Sequence, residues 1–146
     1  MSMKDFIQRL PLDIILQIIP YTYNVQKKDL LNDIIDYKKT RSLLLELYHK
    51  YWIIDAQMQD PEEDIYWLIN DIFAFANNDK AIMYGYVDNF YNIFKRNISL
   101  QSKEEIDKYV IKLEEKKVKI QINIFLGLLT IKERNDLLTI FYNKLI

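Results

Sequence analysis

Apolar residues recur at three- and four-residue intervals along almost the whole chain, the spacing that lines one face of an α-helix. Leu12, Ile15, Ile18 and Ile19 follow Leu10-Pro11, and proline suits the first turn of a helix, where its missing N–H has no partner to lose. Pro20 ends that segment because proline disfavours helical geometry in the residue before it. Beyond a turn at 21–26, Leu30, Leu31, Ile34, Tyr37, Leu44, Leu45, Tyr48 and Trp52 share a helical stripe. Arg41 interrupts the stripe, which predicts a break near Thr40 and either one bent helix or two short ones.

The sharpest local signal is Asp60-Pro61-Glu62-Glu63. Asp60 can cap a helix, Pro61 fits its first position, and Glu63 closes a capping box. The helix it starts carries Ile65-Tyr66-Trp67-Leu68-Ile69 and Ile72-Phe73-Ala74-Phe75-Ala76, apolar on nearly every side. It is therefore expected to be buried round most of its circumference, with Trp67, Ile69, Ile72, Phe73 and Phe75 inside. Asn77-Asn78 ends it. Asp79 is expected to cap a further helix carrying Met83, Val87, Phe90 and Phe94 on one side and Tyr84 and Tyr91 on another. Gly85 inside that helix costs about 1 kcal/mol against Ala, which points to close helix packing.

Ser102-Lys103-Glu104-Glu105 is a second capping box, after which Ile106, Val110, Leu113, Ile120 and Ile124 share a face and Lys117 is out of place. Val118, Ile120, Ile122 and Ile124 also alternate with polar residues, as in a strand. A lone strand cannot satisfy its backbone hydrogen bonds, so helix is favoured. Gly127 is expected to end this helix, and Thr130-Ile131-Lys132-Glu133 to open a last one holding Leu137, Leu138, Phe141 and Leu145. Together these signals predict an all-α fold: one compact bundle of about six helices over 1–146, with N-terminal helices in 10–52 and the remainder in 60–146.

Composition narrows the chemistry. Twenty basic residues against twenty-one acidic ones leave a net charge of -1, without the overall basicity of an electrostatic nucleic-acid binder. With no Cys there is no disulfide, thiolate ligand or cysteine nucleophile. The single His, His49, cannot build a multi-histidine metal site, and no nucleophile elbow accompanies it. It is expected on the solvated side of its helix, because Tyr48 and Trp52 hold the apolar stripe. Gly85 and Gly127 stand too far apart for a glycine-rich phosphate loop. These exclusions leave no enzyme chemistry, no cofactor and no metal to expect. Ile (23), Lys (16), Asn (11) and Tyr (11) dominate while Ala is only 4, the pattern of AT-rich coding, so the tyrosines read first as filler. The opening Met1-Ser2-Met3-Lys4-Asp5-Phe6 lacks the basic and apolar regions of a signal peptide, and no apolar run approaches the roughly 18 residues of a membrane helix. The expectation is a protein neither secreted nor membrane-bound.

Two charged stretches compete for a role. Asp55, Asp60, Glu62, Glu63, Asp64, Asp71 and Asp79 follow one another without a single base. Their spacing does not match a calcium loop, and acids at a helix start are favoured by its dipole. A contact surface is the functional alternative. Lys108, Lys112, Lys116 and Lys119 fall within about 80° of one another at 100° per residue, with Lys95 and Arg96 just upstream. Read functionally, they are a phosphate-contacting ridge. The favoured reading makes Glu104–Lys108 and Glu115–Lys119 stabilising pairs on a solvated helix face. Tyr21, Tyr23, Tyr84, Tyr86 and Tyr91 exceed what a small core holds beside its Phe and Trp residues. Tyrosine is enriched in interface cores, so they raise association with a partner or with a second copy.

The run Leu10-Pro11-Leu12-Asp13-Ile14-Ile15-Leu16-Gln17-Ile18-Ile19, then Asp29-Leu30-Leu31 and Tyr51-Trp52, resembles an F-box. There a Leu-Pro-led helix, a following helix and a terminal Trp make a small helical surface. The block Ile18-Ile19-Pro20-Tyr21-Thr22-Tyr23-Asn24-Val25-Gln26, with Leu30-Leu31-Asn32-Asp33-Ile34 and Leu128-Leu129-Thr130-Ile131-Lys132-Glu133-Arg134, is similar to small F-box-like proteins of giant DNA viruses (mimivirus-like). That resemblance implies a non-enzymatic helical protein that binds other proteins or is virion-associated, located in host cytoplasm or virion. Leu10, Pro11, Tyr21 and Tyr23 are the candidate partner surface. The alternatives are a nucleic-acid-associated protein using the Lys ridge and an F-box-like adaptor to a host ubiquitin ligase.

Overall fold

A computed structural model describes residues 28–146. Within them lie six α-helices and no strand: α1 (Lys28–Tyr48), α2 (Glu63–Ala76), α3 (Asp88–Phe94), α4 (Lys103–Glu114), α5 (Val118–Leu128) and α6 (Ile131–Leu145). The expected all-α bundle is the fold found. The expected helix between Leu10 and Pro20, and with it Leu10, Pro11, Tyr21 and Tyr23, falls outside the described residues.

Helix α1 packs on α2, α5 and α6, and α2 on α5; α3 packs on α2 and α4, and α4 on α5. One hydrophobic cluster draws on all six, with Leu44, Leu68, Phe90, Ile106, Phe125 and Leu137 each fully buried. At its centre the Phe125 ring meets Phe73 and Phe94 at 4.7 and 5.0 Å between centroids. The edge-to-face geometry of such pairs adds to the burial of their apolar area.

Helix α1 does not break near Thr40. Thr40 is buried, and Arg41 Nε donates to Asn123 Oδ1 on α5. The polar residue in the stripe thus answers a polar residue on the facing helix, and the backbone continues unbroken. After Tyr48 the helix widens into a π-helical segment, His49–Asp55, after which the Ala56 N–H donates to Tyr51 O at 2.9 Å.

Four other expectations need correction. The Asp60 capping box does not form: Asp60 Oδ1 accepts from the Glu62 N–H at 2.9 Å in a local turn, and Glu63 Oε1 accepts from Trp67 Nε1 at 3.0 Å instead. Asp79 caps no long helix. Asn78 and Asp79 hold positive φ (54° and 59°), and Ile82–Tyr84 forms a single 3₁₀ turn. Buried Asn77 staples this loop through Lys80 O, Gly85 O and the Val87 N–H, at 2.9, 3.2 and 2.7 Å. Gly85 has φ +99°, and a Cβ there would meet nothing within 4 Å, so the glycine serves backbone conformation rather than close packing. Lastly, the helix expected from 103 to 127 is two helices. Lys117 is out of place on one stripe because it is the turn residue that precedes α5. Gln121 Nε2 ties the turn by donating to Lys116 O at 2.8 Å.

The other helix-start signals match. Ser102 Oγ accepts from the Glu105 N–H at 3.2 Å, and Thr130 with Glu133 makes a complete capping box. Val118–Leu128 is helical, with Gly127 in its final turn. Helix α6 is anchored by fully buried Arg134. Its Nε donates to Leu126 O at 2.8 Å, and Nη1 to Asp33 Oδ1 and Asp36 Oδ2 of α1 at 2.8 and 3.0 Å.

Candidate functional site

The sequence-derived candidates do not converge on one site. Lys108 and Lys112 lie on α4, Lys116 in the following turn and Lys119 on α5, all exposed. The 80° arc assumed one continuous helix, so the turn after Glu114 removes the single ridge. Arg96 is committed elsewhere: its two terminal nitrogens grip both carboxylate oxygens of Glu133, and Nη1 also reaches Leu128 O at 2.9 Å. The tyrosines separate as well. Tyr84 is 87% exposed on the 3₁₀ turn, whereas Tyr86 stacks on Phe90 at 4.0 Å and Tyr91 donates to Asp107 Oδ1 at 2.8 Å. Burial, reinforced by Asp107, pushes the Tyr91 phenol up to about 12.

His49 is exposed, as expected, with Nδ1 3.3 Å from Asp64 Oδ2. The acidic stretch divides into two kinds of carboxylate. Asp64 is buried and accepts from the Ile65 N–H at 2.9 Å. Asp71 accepts from Tyr48 Oη at 2.6 Å and pairs with Lys144 at 3.4 Å. Burial and then Asp71 drive the Tyr48 phenol far above its ordinary range, so it stays a proton donor to that carboxylate. Asp55, Asp60 and Glu62 are exposed and Glu63 half-buried. Among the described residues, no three or more of the His, Asp and Glu side chains cluster as metal ligands would.

The residues that do converge are aromatic. The π-helical segment carries Tyr51 and Trp52 round onto the first turns of α2, where the Trp52 and Trp67 rings stack at 4.5 Å and 5°. Tyr51 meets Trp52 edge-on at 5.0 Å. Trp52 Nε1 is buried without a hydrogen-bond partner, a cost that the stacked packing has to offset. Trp67 was expected inside but remains 39% exposed, with one face against Trp52. Tyr66 (45%) on α2, and Ile54 (58%) and Met58 (38%) in the segment that leads to it, are exposed. Tyr66 also lines a groove of about 620 Å³ that runs past Phe73 and Val118 to Ile82, Met83 and Glu114. The sequence signal for this surface was the acid-flanked pair Glu62-Glu63 and Tyr66-Trp67, four residues apart. Uniform apolarity along α2 hid which side faced solvent.

Among the described residues, no helix is long and apolar enough to cross a membrane. Comparison with protein families, with curated proteins and with solved structures finds no match to this chain.

Proposed function

We propose that this chain is a non-enzymatic, protein-binding helical module of the giant-virus family it resembles, acting in host cytoplasm or virion, and that its partner docks on the Trp52–Trp67 surface. The observation that supports this is the stacked tryptophan pair, half-buried Trp52 on exposed Trp67, with Tyr66, Ile54 and Met58 exposed on the same two segments. Trp and Tyr dominate the residues that carry most interface energy. Rings already stacked in the free protein lose little side-chain freedom on binding, which favours affinity. The F-box resemblance points the same way, since Trp52 stands at its terminal tryptophan.

Co-purification from infected cells tests the proposal, with tagged wild type compared against Trp67→Arg by mass spectrometry. The proteins recovered with wild type should be lost with the variant, whose helix content should be unchanged by circular dichroism. Equal recovery by both proteins contradicts the proposal. So does recovery of nucleic acid alone that disappears in Lys108→Gln/Lys112→Gln.

A further inference from the structure

We infer that the segment bound at this surface is basic: an arginine-bearing peptide whose guanidinium packs against the exposed part of Trp67 and pairs with Glu62 and Glu63. The inference rests on the Trp52–Trp67 surface being the docking site, and it assigns the chemistry of what docks. From Tyr51 to Asp79 the chain contains no Lys or Arg. Among the described residues, no cation lies within ion-pair distance of Asp55, Asp60, Glu62 or Glu63, although Asp64 and Asp71 each have a partner. The start of α2 offsets only about half an elementary charge through its dipole. Among the described residues these carboxylates therefore exceed what helix capping explains.

Their positions match the aromatic surface. Glu63 is held by Trp67 Nε1 at 3.0 Å and Glu62 is within 3.4 Å of the Tyr66 hydroxyl, so both carboxylates are oriented at the edges of exposed rings. An ionised carboxylate accepts about four hydrogen bonds, and these contacts use one each on the side chains, leaving capacity for an incoming donor. Guanidinium meets both demands at once. It is flat, weakly hydrated and stacks on indole, and its fork matches a carboxylate. The same acids repel phosphate backbones and anionic membranes.

Both tryptophans of the chain lie in this surface, so intrinsic fluorescence reads it without a label. Acetylated, amidated hexaarginine, hexalysine and hexaglutamate would be titrated into the full chain at low salt. Saturable quenching by hexaarginine, weaker binding of hexalysine and none of hexaglutamate are expected. Glu62→Gln/Glu63→Gln should weaken hexaarginine about tenfold, in keeping with two partly exposed charge pairs. The control Glu104→Gln/Glu115→Gln should leave binding unchanged. Absence of saturable binding, or equal affinity in wild type and the 62/63 variant, overturns the inference. If Trp67→Arg still loses its co-purified protein in that case, the surface stands and only the basic partner falls; if it loses nothing, both fall.

Discussion

Arg134 shows how much one side chain decides. It is fully buried, satisfies Leu126 O and neutralises two carboxylates of α1. Removing one partner of a buried ion pair costs about 3–5 kcal/mol. Asp33 is partly exposed and can rehydrate, so Arg134→Met should cost about 3 kcal/mol in urea unfolding, the lower end of that range. Adding Asp33→Asn and Asp36→Asn should recover part of the loss. A near-wild-type midpoint for the single variant would mean the cluster contributes nothing to stability. None of this was legible in the sequence. The sequence marks Thr130-Ile131-Lys132-Glu133 only as a helix start, and the carboxylate partners of Arg134 stand about a hundred residues earlier. Periodicity did find Ile69, Ile72 and Phe73, all buried, but placed Trp67 with them because a helix apolar all round does not declare its outer side.

At the scale of elements, helix starts were read well where the capping residue stands directly before the first helical residue, whereas α2 begins at Glu63, too late for Asp60 to cap it. Thr130 and Ser102 cap as their patterns require, and the Glu63 carboxylate accepts from Trp67 Nε1 instead. The α4–α5 turn was marked by Lys117, and the loop at 77–87 was hidden because its staple, Asn77, bonds backbone up to ten residues away. Gly85 lies in a backbone region that only glycine occupies comfortably, so Gly85→Ala should cost about 1–3 kcal/mol of thermal stability through the backbone alone. An unchanged melting temperature would show that the loop relaxes freely. The α6 cap should give the protein part of its acid sensitivity. Burial alone would raise the Glu133 pKa, but hydrogen bonds from Arg96 and the Thr130 N–H outweigh it and hold the group below its ordinary range. Its contribution is therefore complete above the ordinary carboxylate range and is lost as pH falls from there through the depressed folded value. Urea midpoints should drop over that interval, and Glu133→Gln should flatten the drop; an identical profile in the variant would place the acid sensitivity elsewhere.

Over the whole molecule, a net charge of -1 conceals segregation. The span from 51 to 79 has acids and no Lys or Arg, while Lys108, Lys112, Lys116 and Lys119 stand exposed on α4, α5 and the turn between them. A partner approaching by electrostatic attraction therefore meets two different surfaces according to its own charge. Site-directed photo-crosslinking separates them most directly. A benzophenone side chain would be placed singly at exposed Tyr66, beside the tryptophan pair, at exposed Ile111, between Lys108 and Lys112, and at exposed Ile140 on α6. Irradiation in infected-cell extract should join position 66, and neither of the others, to a protein that Trp67→Arg fails to capture. Adducts of equal yield at all three positions, or from position 111 alone, would contradict a docking surface built on Trp52 and Trp67.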